Sequence, residues 1–151
     1  MARDLRTRAF QAWWRLSRPV TLGVRGVVID PGGRVLLVRH TYMAGWHFPG
    51  GGVERRETAF AALNRELEEE AGIAPSTPPR LVSVHANHAN FPNDHVLVYR
   101  IDHWTQGTPT QVGEIAETGF FAPEDLPEGV SAPTRRRLAE LFEGAAVSDA
   151  W

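Results

Sequence analysis

Two periods of apolar residues alternate along this chain. Arg34–Arg39 (RVLLVR) is a nearly continuous apolar run, as expected of a strand covered on both faces. Thr21–Ile29 (TLGVRGVVI) reads as a strand before it, and the intervening Asp30-Pro31-Gly32-Gly33 is a turn signal. Strand, tight turn and strand predict a hairpin. Arg80–Ala86 (RLVSVHA) alternates, with Leu81, Ser83 and His85 on one side and Val82 and Val84 on the other, the pattern of a half-buried strand. Beyond the polar stretch Asn87–Asp94, His95–Asp102 (HVLVYRID) predicts a second strand that closes another hairpin.

The helical period takes over elsewhere. Thr58 is placed to cap a helix start, Ala59–Ala71 contains neither Gly nor Pro, and Gly72 suits a left-handed stop. At about 100° per residue, Ala59, Phe60, Leu63, Leu67 and Ala71 share an arc that should pack on a sheet. Pro133–Glu143 (PTRRRLAELFE) reads as a helix with Leu138, Leu141 and Phe142 inward and Arg135, Arg136 and Arg137 solvated. Near the start, Phe10, Trp13 and Trp14 have i, i+3, i+4 spacing among Arg3, Arg6, Arg8, Arg15 and Arg18, which predicts a short amphipathic helix. It has three readings: docked on its own domain, packed in a homodimer, or laid on an anionic membrane surface. His40–Pro49 is expected to be a loop or short broken strand, and Ala74–Pro79 and Trp104–Glu114 are expected to be loops. The organisation is therefore an N-terminal basic and aromatic segment (1–18), one domain (19–143), and a tail (144–151) expected to be mobile unless Trp151 docks.

With 151 residues, 42% hydrophobic and 23% charged, the composition is that of a globular domain. The formal net charge of −2 gives no global attraction to nucleic acid. No cysteine is present, which excludes disulfides and thiolate metal sites. No apolar run approaches the ~20 residues that span a bilayer, and the first residues lack the apolar core of a signal peptide. The expectation is a cytoplasmic enzyme.

Charge patterning changes the picture most between Gly50 and Ile73. Glu54, Glu57, Glu66, Glu68, Glu69 and Glu70 crowd into GGGVERRETAFAALNRELEEEAGI. On the expected helix Glu66, Glu69 and Glu70 are related by i+3 and i+4, and Glu68 points away. Like charges at such spacing cost a few tenths of a kcal/mol per pair. Hard divalent cations, which prefer oxygen ligands, would reverse that sign. The bland alternative is a solvated acidic face with arginine partners. His85, His88 and His95 have no spacing that demands a metal, so packing or hydrogen bonding is expected of them instead.

The spacing of the stretch is specific. Gly51, five residues, Glu57, seven residues, Arg65-Glu66-Leu67, one residue, Glu69-Glu70, one residue, Gly72-Ile73 resembles the Nudix box in every defined position. Trp46-His47-Phe48-Pro49-Gly50-Gly51 is similar to the segment that precedes many such boxes. The resemblance implies an α/β fold, a Nudix-type α/β/α sandwich with a mixed β-sheet. It implies Mg²⁺- or Mn²⁺-dependent hydrolysis of a nucleoside diphosphate linked to another moiety. In that family the positions of Glu66, Glu69 and Glu70 bind metal, joined by the carbonyl at Gly50, and the position of Glu57 pairs with that of Arg65. Glu114–Phe121 resembles the family's late strand, where an acid approaches the metals, so Glu117 and Glu114 are candidates for a last ligand or base. The family's common Trp is replaced there by Phe120.

Substrate contacts are expected from Gly51 and Gly52, whose backbone a phosphate can approach closely. Arg39 is a candidate for phosphate, with Arg55 and Arg56 as alternatives, and Tyr42 or Trp46 for stacking on a base. The expected partner is a small nucleotide or nucleotide derivative. Some groups in the family carry a marker residue after the box; here His88 and Ala89 occupy those places, which gives ADP-ribose no support. Nucleoside triphosphates, nucleotide sugars, CDP-alcohols and dinucleotide polyphosphates stay open. The competing readings are a nucleotide sensor without turnover and a module whose main role is docking through residues 1–18.

Overall fold

The computed structural model describes residues 2–151, with side chains from Arg6 onward. Its elements in chain order are α1 (Ala2–Ser17), β1 (Thr21–Val28), β2 (Val35–His40), β3 (Trp46–His47), α2 (Ala59–Ala71), β4 (Ile73–Pro75), β5 (Arg80–Ala86), β6 (Asp94–Ile101), β7 (Trp104–Gln106), β8 (Ile115–Phe121) and α3 (Ala132–Phe142). One sheet has the order β1-β6-β5, a second β3-β2-β8, and a two-stranded ladder joins β4 to β7. β1 runs parallel to β6 and β5 antiparallel to it, so the sheet is mixed.

Strand periodicity divides the core into two layers. Val24, Val28, Leu36, Tyr99 and Ile101 face Ala62, Leu63, Leu67 and Ala71 of α2. Val27, Ile29, Val35, Leu37 and Val98 face the other way, onto Leu138 with Leu141 and Phe142 of α3. Neighbouring residues of one strand point to opposite faces, so each strand supplies both layers. The result is an α/β sandwich with α2 on one side and α3 on the other. Among the described residues no helix is long and apolar enough to cross a membrane.

The expected hairpin of β1 and β2 does not form. Asp30–Arg34 turns as its residues dictate, with the Gly33 N–H donating to the Asp30 carbonyl (2.9 Å). Only the single bridge Ile29 to Val35 joins the two strands, however, and they part into different sheets. The hairpin of β5 and β6 forms, but a bulge between Leu81 and Ser83 breaks the alternation. Leu81 and Val84 are consequently exposed and His85 is buried. Two expected loops contain the short strands β4 and β7.

Four further expectations also change. Phe60 stays exposed and packs its ring on Tyr99 (5.4 Å between centroids), while Ala62 takes its place in the core. Arg137, expected in solvent, is 1% exposed because its guanidinium forks onto Glu140 (2.6 and 2.7 Å) and donates to the Ala150 carbonyl (3.1 Å). That last bond reflects the third change: the segment expected to be mobile is docked, with Ala86 bridged in parallel to Ala150. α1 is longer than expected, and the side chains of residues 6–20 are exposed.

Candidate active site

α2 begins where Thr58 Oγ1 accepts the Ala61 N–H (3.1 Å) and ends at Gly72, in the left-handed region at φ 66°. The preceding glycine run is laced to β1: Val24 donates to the Gly51 carbonyl, Gly26 to that of Pro49 (both 2.9 Å), and Val53 to that of Leu22 (2.8 Å). Gly50 lies at φ 142°, and a Cβ there would collide with the Val24 carbonyl oxygen. Only glycine satisfies both demands.

The helix acids divide by partner. Glu70, 5% exposed at its side chain, accepts the Gly50 N–H through Oε2 (2.9 Å). Burial pushes its carboxyl up to about 7, against the pull of the Gly50 N–H and the Arg25 charge and with help from Glu66 and Glu114. Glu66 lies against Gly51 so closely that a Cβ there would meet its carboxylate. Two of the three acids thus flank the Gly50–Gly51 peptide. Arg65 holds the rest in place. Its Nε and Nη2 fork onto the two oxygens of Glu57 (2.9 and 3.0 Å), Nη2 reaches the Gly52 carbonyl (3.1 Å), and Nη1 reaches Glu66 (2.7 Å) and Glu69 (3.4 Å). That bonding holds the Glu57 carboxyl below its ordinary range and raises the Arg65 guanidinium. Glu68 points into solvent.

Two groups that the sequence reading passed over complete the centre. Arg25, half-buried on β1, donates through Nη1 to the carbonyls of Gly50 (2.6 Å) and Phe48 (3.3 Å). Its signal was a charge inside an otherwise apolar strand. His40 closes β2 with its side chain 3% exposed and its Nε2 3.6 Å from Glu70, too far for a hydrogen bond. Neither ring nitrogen has a partner. Burial, then the charges of Arg25 and His47, lower its pKa.

Other candidates lie elsewhere. Arg39 and Glu117 face each other across β2 and β8 and pair with one another (2.6 Å) at half-exposed positions. Glu117 is therefore tied to Arg39 instead of to the helix acids, whereas Glu114 is near enough to Glu70 to raise its pKa. Trp46 is 8% exposed, packs edge-on against Phe121 (5.0 Å) and has the Arg39 guanidinium 5.7 Å from its ring centroid. Tyr42 is 69% exposed, with its ring 5.1 Å from that of His40. Arg55 and Arg56 are exposed in the turn before α2. Gly52 bridges Gly23 and has open space where a side chain would stand. His85 lies under segment 144–151, and His88 packs edge-on to His95 (5.3 Å).

The donor set around Gly50 and Gly51 is all oxygen, which fits a hard divalent cation and not a soft one. Among the described residues no three acidic or histidine side chains are gathered into a metal cluster: Arg65 occupies Glu66 and Glu69, and Arg25 occupies the Gly50 carbonyl. Coordination there requires Arg25 to leave the Gly50 carbonyl and Arg65 Nη1 to leave Glu66 and Glu69, while the Arg65 fork on Glu57 keeps the helix acids in position.

A sandwich with an acidic helix end set against a glycine run defines a class, and comparison with known proteins agrees. The family model described as NUDIX domain matches residues 19–142. A MutT NUDIX hydrolase from Burkholderia pseudomallei superposes with a TM-score of 0.70 at 28% identity, covering 81% of this chain and 98% of that one. The E. coli ORF135 protein does so at 0.66 and 27%, covering 85% and 91%. A MutT-like protein of Streptomyces ambofaciens is 28% identical over 125 residues, 83% of this chain and 79% of that protein. An RNA pyrophosphohydrolase of Halorhodospira halophila is 48% identical over 50 residues, 33% of this chain and only 28% of that protein's length. The chain belongs to the NUDIX domain family.

Proposed function

We propose that this protein is a cytoplasmic pyrophosphohydrolase that cleaves a pyrophosphate bond in a nucleotide or nucleotide derivative with the aid of Mg²⁺ or Mn²⁺. The observation that supports this reading is the placement of Glu66 and Glu70 on either side of the Gly50–Gly51 peptide, with Arg65 bracing Glu57, Glu66 and Glu69. The relatives, an RNA pyrophosphohydrolase among them, point the same way.

Glu66, Glu69, Glu70 and the Gly50 carbonyl would hold the cation. When bound, it would neutralise phosphate charge and lower the pKa of a water molecule. The chain's own groups do the rest. Gly51 and Gly52 present backbone without side chains, so the phosphates can lie close. Arg65 spaces the acids and offsets their repulsion. Arg25, which donates to the Gly50 carbonyl, would be free to receive a phosphate if a cation took that oxygen. Of the two late-strand acids, Glu114 is the better candidate for accepting the proton of the attacking water, because Glu117 is already paired with Arg39.

The test is a product-resolved assay of nucleoside triphosphates, nucleotide sugars, CDP-alcohols and dinucleotide polyphosphates with Mg²⁺ or Mn²⁺. Native protein should release a nucleoside monophosphate from at least one of these, and Glu70→Gln should lose about a hundredfold or more in rate. Full activity in Glu70→Gln overturns the ligand assignment. Binding of a nucleotide by native protein without turnover of any member favours the sensor reading.

A further inference from the structure

Two clefts flank the glycine run. One, of about 420 Å³, includes Gly51 and Gly52 in its lining. The other, of about 320 Å³, includes Met43 and His47. Both are of the size that holds small ligands, ~300–1,000 Å³. They share four residues: Arg25, Asn87, Asn90 and Trp151. Arg25 touches the centre directly through the Gly50 carbonyl. Trp151 arrives from the far end of the sequence, in a segment with no helix or strand of its own.

An unusual amount of bonding holds that segment in place. Ala86 N–H donates to the Asp149 carbonyl (2.7 Å) and Trp151 N–H to that of Ala86 (2.9 Å), extending the edge of β5. Buried His85 bonds the Ser148 carbonyl through Nδ1 and Ser83 Oγ through Nε2 (both 2.7 Å). Arg137, buried and forked onto Glu140, donates to the Ala150 carbonyl, while Glu140 accepts the Ser148 N–H (2.9 Å). Arg136 donates to the Trp151 oxygen. A buried ion pair pays heavily for its desolvation and adds little net stability. What Arg137 and Glu140 do achieve is a fixed backbone position for residues 148–151.

That position sets the indole. Arg137 lies over the ring (5.5 Å to the centroid), and the His85 ring stands 5.9 Å from it, tilted by 56°. The ring is half-buried, neither lost in the core nor free in solvent, and it borders both clefts. At the cleft rim Asn90 donates to Asn87 (3.0 Å) and Asn87 to Asp94 (2.9 Å), so two amide groups line the same clefts as the indole. A broad π-face with amide donors and acceptors at its edge is the chemistry that receives a nucleobase.

We propose that Trp151, presented by the strap of residues 145–151, is the platform on which the nucleobase of the substrate stacks, with Asn87 and Asn90 at the base edge. Arg25 then stands between the base and the phosphates at Gly51 and Gly52. The inference rests on the pyrophosphohydrolase reading for its ligand class. It assigns the base to a residue far from the acidic helix in sequence.

The test uses full-length protein with Trp151→Phe, which keeps a stackable ring, and Trp151→Leu, which keeps apolar bulk without one. Binding of the four common nucleoside monophosphates and of ribose 5-phosphate is measured by calorimetry, alongside steady-state kinetics on a substrate the native protein hydrolyses. Trp151→Leu should weaken monophosphate binding and raise KM about tenfold, with kcat nearly unchanged and ribose 5-phosphate binding unchanged. Trp151→Phe should stay close to native. Unchanged monophosphate affinity in Trp151→Leu, or equal weakening of ribose 5-phosphate, overturns the platform while leaving the hydrolase reading intact. Absence of both nucleotide binding and turnover in native protein overturns the two together.

Discussion

Neighbouring glycines of the same run carry different constraints. Gly50 sits at positive φ with the Val24 backbone where a side chain would go, whereas Gly52 has open space. Gly50→Ala should therefore cost about 3 kcal/mol or more of stability, and Gly52→Ala should stay within about 0.5 kcal/mol, both read from urea unfolding midpoints. Equal effects would contradict the assigned backbone geometry. Arg65 gives a second contrast, because it makes charge-assisted bonds to three carboxylates and a carbonyl. Arg65→Ala should lower stability by about 2 kcal/mol and Mn²⁺ affinity about 10–100-fold, measured by paramagnetic resonance. Arg65→Lys should recover only part of either, since an ammonium cannot reproduce the fork on Glu57. The acids and Arg65 were legible because helical spacing and the box pattern are local. Arg25 and His40 at the centre and the docked position of Trp151 were not, because each is set by contact with residues distant in sequence.

Among the elements, α2 was legible to both ends: a Thr cap, thirteen residues without Gly or Pro, and a glycine stop are all local chemistry. Its buried face was less so, since periodicity supplies an arc but not its centre, and the sheet chose Ala62 over Phe60. The strap of residues 145–151 was illegible, having no period of its own. Its sensitivity to pH follows from His85. Burial first, then Arg137, lower the His85 pKa, against the Ser148 carbonyl, Glu140 and Asp149, which raise it. Ordinary histidine titrates near 6.5. Below that value the unfolded chain binds a proton that the folded chain refuses, so stability falls as pH drops through 6.5 and stops falling below the lowered folded value. Denaturant midpoints between pH 7.5 and 5 should show this loss, and His85→Gln should flatten it. An unchanged slope in that variant would mean that other groups carry the pH dependence.

At the scale of the whole molecule, strand identity was readable and strand partnership was not. The pattern of Thr21–Ile29 and Arg34–Arg39 describes two strands and a turn, yet β1 pairs in parallel with β6, with Thr21 opposite Asp94, and nothing local encodes a partner that distant. The same logic bears on α1. Its sequence is amphipathic, with Phe10, Trp13 and Trp14 in mutual ring contact at 5.4–6.3 Å and Arg18 over Trp14. Amphipathicity announces that a face will be covered without saying by what. Within this chain, residues 6–20 stay exposed, so among the described side chains those of α1 take no share of either core layer. Removing residues 1–18 should accordingly leave the melting midpoint of 19–151 and its turnover near those of the full chain. The expected change in unfolding free energy is within about 0.5 kcal/mol, the range for surface substitutions. Scanning calorimetry at two protein concentrations is the check. A concentration-independent drop of several degrees would show that α1 packs on its own domain after all. A drop that grows with concentration would show that a second copy covers it.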